Sequence, residues 1–423
     1  MPSIRSILSQ SFFDFSFLFG SNLTNKILGF FREIILAFFF GSSLIYSSYL
    51  LLKTLTDFMS KFTFGNALQA NILPKFTRLY EKNKILNLNF VYVFSKKISV
   101  VLFFSSLILQ LFVVFFLIKD FYFFLVITAI ILSVVLSLNF HNSLFLNIIQ
   151  AQGNFKKFSI AELSNGFVST IFIYPFSLFF SIIGIALSRL FGILTLAYFY
   201  INPILKSNNG YNASISLRDF NFSVVFLSNL YLFIFLIARF ISGINSSSDI
   251  AFFNYSFLLL NIFMTAVIFN VNSIILRQIS LRKDLKYFYY AICLSIFSSL
   301  LLYFIIQNYS LEIVKIVFLR GAFNESDVVF TAFFLRKLII PFILLIFSTI
   351  LFQPFFSLGI DRISKQCLKY SCFLLIVLIF ILTYSLVYQI DTQDACFLFV
   401  NSMSFSSIII SIFSFRYFLN YEV

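Results

Sequence analysis

The sequence predicts an all-α integral membrane protein of about twelve transmembrane helices in two six-helix halves, on three observations. First, 60% of the 423 residues are hydrophobic, only 11% are charged, and the mean hydropathy is +0.99. A soluble domain carries about a quarter charged residues, so this chain has too little charge to cover a watered surface. Second, apolar stretches of span length recur from end to end. Third, the basic residues fall in alternate loops between those stretches.

A span needs roughly 20 mostly apolar residues. Twelve are placed at about 10–40, 44–72, 97–118, 121–149, 158–180, 182–203, 220–243, 250–276, 287–306, 328–357, 369–388 and 395–415. The first, second and tenth are long and carry polar residues, which favours tilting or kinking; Gly29 and Gly41 are the weak points of the first. Met1 to Gln10 shows no compact apolar core followed by a small-residue cleavage site, so the first span is expected to be retained.

Lysine and arginine in short loops set orientation. Arg78, Lys82 and Lys84 follow span two, Lys156 and Lys157 span four, and Lys206 and Arg218 span six. Arg277, Arg282, Lys283 and Lys286 follow span eight, Arg362, Lys365 and Lys369 span ten, and Arg416 span twelve. The alternate loops hold little that is basic, apart from Lys315 and Arg320 among the acids of 312–327. Both termini are therefore expected in the cytoplasm of a bacterial inner membrane. This asymmetry accounts for the net charge of +14 without a nucleic-acid partner. The 67 phenylalanines beside no tryptophan are read as compositional bias and carry no function.

The longest internal polar stretch, 206–219, is expected to be a cytoplasmic linker between an N-lobe (1–205) and a C-lobe (220–423). The halves echo each other: Ile72-Leu-Pro-Lys-Phe-Thr-Arg-Leu resembles Ile275-Leu-Arg-Gln-Ile-Ser-Leu-Arg, and Ala151-Gln-Gly-Asn-Phe-Lys-Lys resembles Leu358-Gly-Ile-Asp-Arg-Ile-Ser-Lys. Two such repeats around a central cleft are a transporter layout.

Charges inside spans mark function, because an Arg, Lys or Asp at mid-membrane costs about 2.5–3.5 kcal/mol on insertion scales. Span one carries Lys26, Arg32 and Glu33, and span two carries Asp57 and Lys61 four residues apart, on one helix face. Arg189 lies in span six, Arg239 in span seven, Arg336 and Lys337 in span ten. The functional reading is a cationic cleft for an anionic head group such as a diphosphate, bound by Arg32, Lys26, Lys61, Arg239 and Arg189. The structural alternative is mutual pairing or snorkelling. Glu33 and Asp57 are read as counter-ions or coupling acids, and Arg336 and Lys337 as residues near a membrane interface or a helix contact. Lys26 and Arg32, six apart, share a face only if Gly29 bends the helix. Glu162 is read as a first-turn acid favoured by the helix dipole. Four cysteines without a C-x-x-C pair and one histidine, His141, give no metal site, disulfide framework or cofactor, and no catalytic constellation is present.

The stretch Asn25-Lys-Ile-Leu-Gly-Phe-Phe-Arg-Glu33, followed by Phe39-Phe-Gly41, resembles the signature of the MurJ/MviN family of lipid II flippases. Phe318-Leu-Arg-Gly-Ala-Phe-Asn-Glu-Ser-Asp327 resembles the family's segment before its tenth helix, and Gln150-Ala-Gln-Gly-Asn-Phe-Lys-Lys-Phe its loop after the fourth. The resemblance implies the two-lobed fold of the multidrug/oligosaccharidyl-lipid/polysaccharide exporter superfamily. It also implies alternating-access transfer of a polyprenyl-diphosphate-linked saccharide between leaflets by a monomer coupled to Na+, H+ or the membrane potential. The family's diphosphate-binding arginine matches Arg32, and its preceding arginine matches Lys26. In span two the family's Pro-Asn, Arg-Arg and Glu-Gly-Ala-Phe elements fall on Thr56-Asp57, Ser60-Lys61 and Gly65-Asn66-Ala67-Leu68, so Lys61 stands in for a cleft arginine. The family's Asp-Ala-Phe reads Ser47-Ser48-Tyr49, and its Asp-Arg in span eight becomes Tyr255-Ser256. The lipid II enzyme has two further helices beyond the twelve counted here. Three classes stay open: a flippase for lipid II or an O-antigen-type lipid-linked oligosaccharide, a cation-coupled small-molecule exporter, and a non-transporting scaffold.

Overall fold

The computed structural model describes residues 4–63, 75–80, 86–118, 123–202, 221–244, 248–269 and 285–422, with isolated positions between them, and side chains from residue 20 onward. Among the described residues twelve α-helices follow in chain order: α1 (Ile4–Phe40), α2 (Leu44–Thr63), α3 (Asn89–Phe116), α4 (Phe123–Ala151), α5 (Phe155–Leu196), α6 (Phe222–Ser228), α7 (Leu230–Ser242), α8 (Asp249–Phe263), α9 (Lys286–Phe318), α10 (Glu325–Ser357), α11 (Ile360–Val387) and α12 (Thr392–Glu422). Single π-helical turns extend α5 (Ala197–Ile201) and α8 (Met264–Ile268). A two-residue parallel pair, Leu86 beside Tyr211 and Asn87 beside Asn212, joins the segments that follow α2 and α5. The linker 206–219 and the echo at 275–282 lie largely outside the described residues, as do Gly65–Leu68, Lys84, Arg277, Arg282 and Lys283.

Seven described segments are long and apolar enough to cross a membrane, or eight when the bent pair α6–α7 counts as one. The difference from twelve has physical causes. Within their described side chains α1 carries Lys26, Arg32 and Glu33, and α2 carries Lys53, Asp57 and Lys61, which lowers their apolarity. The apolar part of α8 is short. α5 counts once but crosses twice. Its helical path breaks at Ser181 (φ 51°, ψ −131°), and the arms 155–180 and 182–196 fold back on each other, with Phe172 and Phe176 against Phe191 at 5.5 and 5.2 Å. Close approach at the turn requires Gly184, whose absent Cβ would overlap the Phe176 carbonyl. Among the described residues each expected span thus overlaps a helix, with 64–72 of span two and most of 270–276 of span eight lying outside them.

The helices are inverted relative to a soluble protein. On α3, Phe104, Ile108 and Phe112 point outward (57%, 66% and 52% exposed), whereas Ser95, Ser99, Ser106 and Gln110 are buried. Gln110 Nε2 donates to Thr56 Oγ1 (3.2 Å) and Ser106 Oγ (2.9 Å), and the Ser99 and Ser137 hydroxyls each donate to the other's carbonyl across α3 and α4. Apolar outside and small polar inside is the arrangement lipid demands, where helices associate through close contact and polar bonds.

The described chain divides into two compact units: Met1–Phe39 with Leu55–Asn221, and Phe40–Thr54 with Phe222–Val423. These differ from the halves 1–205 and 220–423 by one segment, 40–54, which groups with the second unit for identifiable reasons. Gly41 ends α1 in a left-handed conformation (φ 51°), and its carbonyl accepts from Tyr255 Oη (2.9 Å). Ser42 Oγ donates to Asp327 Oδ1 (2.6 Å), and Thr54 Oγ1 accepts from Arg239 Nε (2.8 Å). In the first unit α3 packs on α4 and α4 on α5. In the second α10 packs against α8, α9 and α12, α12 against α7 and α11, and α11 against α6.

Candidate functional site

Within the first unit, α1, α4 and α5 enclose a cavity of about 390 Å³. Each contributes one helical face. From α1 come Asn22, Asn25, Lys26 and Arg32, from α4 Asn139, Asn142, Ser143 and Leu146, and from α5 Glu162, Asn165, Gly166 and Ser169, with Leu196 of the second arm closing one side. The spacing i, i+3, i+4, i+7 on α4 and α5 puts four consecutive lining positions on one stripe. Most of the lining side chains are polar, with Leu146 and Leu196 among them, set into helices that are otherwise apolar.

Lys26 and Arg32 reach this cavity from an uninterrupted α1, so no bend at Gly29 is needed. Asn22, Asn25 and Arg32 lie on one stripe, and Lys26 lies a third of a turn from it, within the reach of its long stem. Arg32 Nη1 donates to Ser169 Oγ (2.9 Å), whose hydroxyl donates in turn to the Gly166 carbonyl (3.0 Å). Asn142 Nδ2 donates to the Ile193 carbonyl (3.1 Å). Asn25 Oδ1 and Asn142 Oδ1 are buried without a hydrogen-bond partner.

Glu162 differs from its sequence reading. α5 starts at Phe155 behind the N-cap Asn154, whose side chain accepts from the Lys157 backbone N–H (3.2 Å), so Glu162 stands in the third turn and faces the cavity. It adds an acid to a wall where Glu33 and Asp57 were expected. Glu33 is half-buried on α1 and is not among the lining residues. Asp57 lies instead beside Arg189, Oδ1 to Nη1 at 3.9 Å, with both side chains about a quarter exposed (29% and 25%). Lys61, one turn further along α2, is within electrostatic reach of Asp57. Arg189, Asp57 and Lys61 therefore form a second charged group of the first unit, and the cavity holds Lys26, Arg32 and Glu162.

Arg239 belongs to the second unit. It is 4% exposed, and its Nε and Nη1 donate to Thr54 Oγ1 and Asn254 Oδ1, both at 2.8 Å. Lys53, beside Thr54, is 5% exposed and was not singled out in the sequence. Arg336 Nε donates to Ser310 Oγ of α9 (2.6 Å), a contact between helices, whereas the exposed Lys337 lies over the Phe333 ring of its own helix (5.6 Å). His141 Nδ1 pairs with Ser95 Oγ (2.9 Å). Among the described residues no three His, Cys, Asp or Glu side chains converge as metal ligands.

The asparagines are the part of the site that sequence reasoning missed. Their signal was present: Asn139 and Asn142 three apart, and Asn165 three residues after Glu162, each inside an apolar stretch. A search for charges passes over them.

No protein-family profile matches the chain, and no curated protein sequence matches it. Solved structures do. One is the lipid II flippase MurJ in an inward closed conformation, with TM-score 0.69 and 17% identity over 94% of this chain and 87% of that one. Another is an inward-facing MATE-family multidrug resistance transporter of the MOP superfamily, at 0.60 and 14% over 95% and 93%. A third is a MOP-superfamily transporter from Pyrococcus furiosus, at 0.54 and 14% over 96% and 92%. The likeness spans nearly the whole of each chain. This protein is therefore an all-α, multi-pass integral membrane protein with the fold shared by the MurJ flippase and the MATE transporters of the MOP superfamily.

Proposed function

We propose that this chain is a MurJ-like flippase that moves a polyprenyl-diphosphate-linked saccharide from the inner to the outer leaflet of the bacterial inner membrane by alternating access, without covalent chemistry. The observation that carries the reading is the cavity of the first unit, where Lys26 and Arg32 of α1 meet a lining rich in asparagine and serine that also holds Glu162. Two cations in an apolar helix are costly, on the order of 2.5–3.5 kcal/mol each, and a wet pocket that receives an anion accounts for them. The guanidinium of Arg32 offers a planar fork suited to phosphate oxygens, and Lys26 adds a mobile point charge. Asp57, Arg189 and Lys61 are assigned a supporting electrostatic role, and the halves 1–205 and 220–423 the role of moving bodies. Both termini are placed in the cytoplasm, and lipid II or a related lipid-linked saccharide is the cargo.

A second reading rests on Glu162. A carboxyl group on the same cavity, in a fold shared with multidrug resistance transporters, suits a cation-coupled small-molecule exporter that loads and releases the ion at that acid.

Complementation separates the two. Expression in a bacterium whose own lipid II flippase can be shut off is expected to restore growth, and Arg32→Ala to abolish rescue at unchanged membrane abundance. Full rescue by Arg32→Ala removes the diphosphate role. Failure of the unmodified chain, with the protein present in the membrane, moves the cargo to another lipid-linked saccharide, tested next in a strain lacking its O-antigen flippase. Drug efflux that is lost in Glu162→Gln, without rescue in either strain, establishes the exporter reading.

A further inference from the structure

The cations occupy only one wall of the cavity, and the other two walls present a different chemistry. α4 and α5 bring Asn139, Asn142 and Asn165 together with Glu162, and none of these is cationic. In a membrane protein an asparagine is ordinarily explained by a bond to a neighbouring helix. Asn142 satisfies that explanation in part, through its amide N–H to Ile193. Asn139, Asn165 and Glu162 do not: no hydrogen bond or ion pair links them to another described residue. The buried Oδ1 atoms of Asn25 and Asn142 lack partners as well. The two buried oxygens each cost about 1–3 kcal/mol, while Asn139, Asn165 and Glu162 are partly accessible and present their polar groups to whatever occupies the cavity.

The inventory defines that occupant. Amide side chains both donate and accept, and a carboxylate only accepts. Their complement is a neutral molecule dense in groups that also do both, which describes the hydroxyl and acetamido groups of a pyranose ring. A second phosphate or a carboxylated substituent would meet Glu162 on this side. The volume, about 390 Å³, lies at the low end of the range for ligand pockets, roughly 300–1,000 Å³, which suits one ring rather than an extended glycopeptide.

We infer that the amide walls of α4 and α5 form a sugar subsite. It holds the saccharide unit attached directly to the diphosphate, with Asn139, Asn165 and Glu162 bonding its neutral hydroxyl or acetamido groups while Arg32 and Lys26 hold the phosphates. The inference rests on the diphosphate reading above and deepens it by naming the chemistry of the first sugar.

The test uses the full chain, purified into nanodiscs, and two water-dispersible probes: farnesyl diphosphate, and farnesyl diphosphate bearing one N-acetylglucosamine. The expected result is that the sugar-bearing probe binds about tenfold more tightly, the effect of one or two net hydrogen bonds. Asn139→Ala and Asn165→Ala each lower that ratio, and the double variant brings it close to one. Arg32→Ala weakens both probes and leaves a ratio above one. Should an alanine variant unfold, Asn139→Ser and Asn165→Ser retain a small polar side chain and carry the same expectation. Equal affinity for the two probes in the unmodified chain, or a ratio that survives the double variant, overturns the sugar subsite and leaves the diphosphate reading standing. Absence of binding by both probes overturns the diphosphate reading, and the subsite with it.

Discussion

An arginine within an apolar helix needs polar company, and Arg32 and Arg239 find it in different settings, one lining a cavity and the other enclosed by protein. Arg32 gives one N–H to Ser169 Oγ and faces an open pocket. Arg239 is enclosed, with Thr54 and Asn254 oxygens at 2.8 Å. The two should respond differently to truncation. Arg239→Ala strips donors from Thr54 and Asn254 and opens a void in the second unit, and each orphaned group costs about 1–3 kcal/mol. The melting temperature in detergent should fall by several degrees and membrane abundance should drop with it. Arg32→Ala should leave both within error of the unmodified chain while activity is lost. A normal melting curve for Arg239→Ala would move that residue from the frame to the binding machinery. Sequence alone ranked both as cleft cations, because a lone charge in an apolar stretch looks the same whether its partners lie 185 residues away or in a ligand. Arg32 and Lys26 were legible for that reason. Asn139 and Asn165 were not, since a neutral amide in a membrane span is common wherever helices touch.

At the level of elements, the hairpin within α5 and the junction of two distant blocks define how the units are built. The α5 turn depends on Gly184, where any side chain collides with the Phe176 backbone carbonyl rather than a movable side-chain tip. Gly184→Ala should therefore prevent the arms from closing, seen as a collapse of membrane-inserted protein. The same substitution at Gly20, where a Cβ meets nothing, should be tolerated. Normal accumulation of Gly184→Ala would mean the turn relaxes without cost. The turn position was legible, since spans were placed at 158–180 and 182–203. The bend of 79° between α6 and α7 was not, because it arises at Asn229, whose Nδ2 bonds back to the Val225 carbonyl (3.0 Å), a local competition that hydropathy does not register. The blocks at 39–41 and 318–327, singled out as separate motifs, belong to one structural feature. Ser42 donates to Asp327, which also closes the capping box of α10 with Asn324. Asp327→Ala removes the cap and the cross-link together. A loss of about 1–2 kcal/mol is expected from the cap alone, and a double-mutant cycle with Ser42→Ala should show coupling beyond additivity.

For the whole molecule, orientation in the bilayer follows from charge, and it constrains everything proposed for the cavity. The loops after even-numbered spans carry the lysines and arginines, among them Lys156, Lys157, Arg362, Lys365 and Lys369, whereas the turn between α11 and α12 carries Asp391 and Asp394. Retention of basic loops on the cytoplasmic side depends on these short segments rather than on net charge, and the proposed twelve crossings would return the C-terminus to the side of the N-terminus. The inverted faces of α3, with Phe104, Ile108 and Phe112 outward, suit a helix solvated by lipid along its length, so α3 cannot be reassigned to a water-exposed layer without exposing apolar surface. A fluorescent protein fused after Val423 should therefore mature and fluoresce, because it folds in the cytoplasm. Alkaline phosphatase inserted at Asp391 should be active, because it matures only outside the inner membrane, and the same enzyme inserted between Lys156 and Lys157 should be inactive. The reverse pattern would place the basic loops outside and would require the cavity to load its ligand from the opposite leaflet. Activity at both insertion points would break the even count, and the break would have to lie between α4 and α12. The α5 hairpin at Ser181 and the bent pair at Asn229 are the two places where that count depends on a turn rather than on an apolar run.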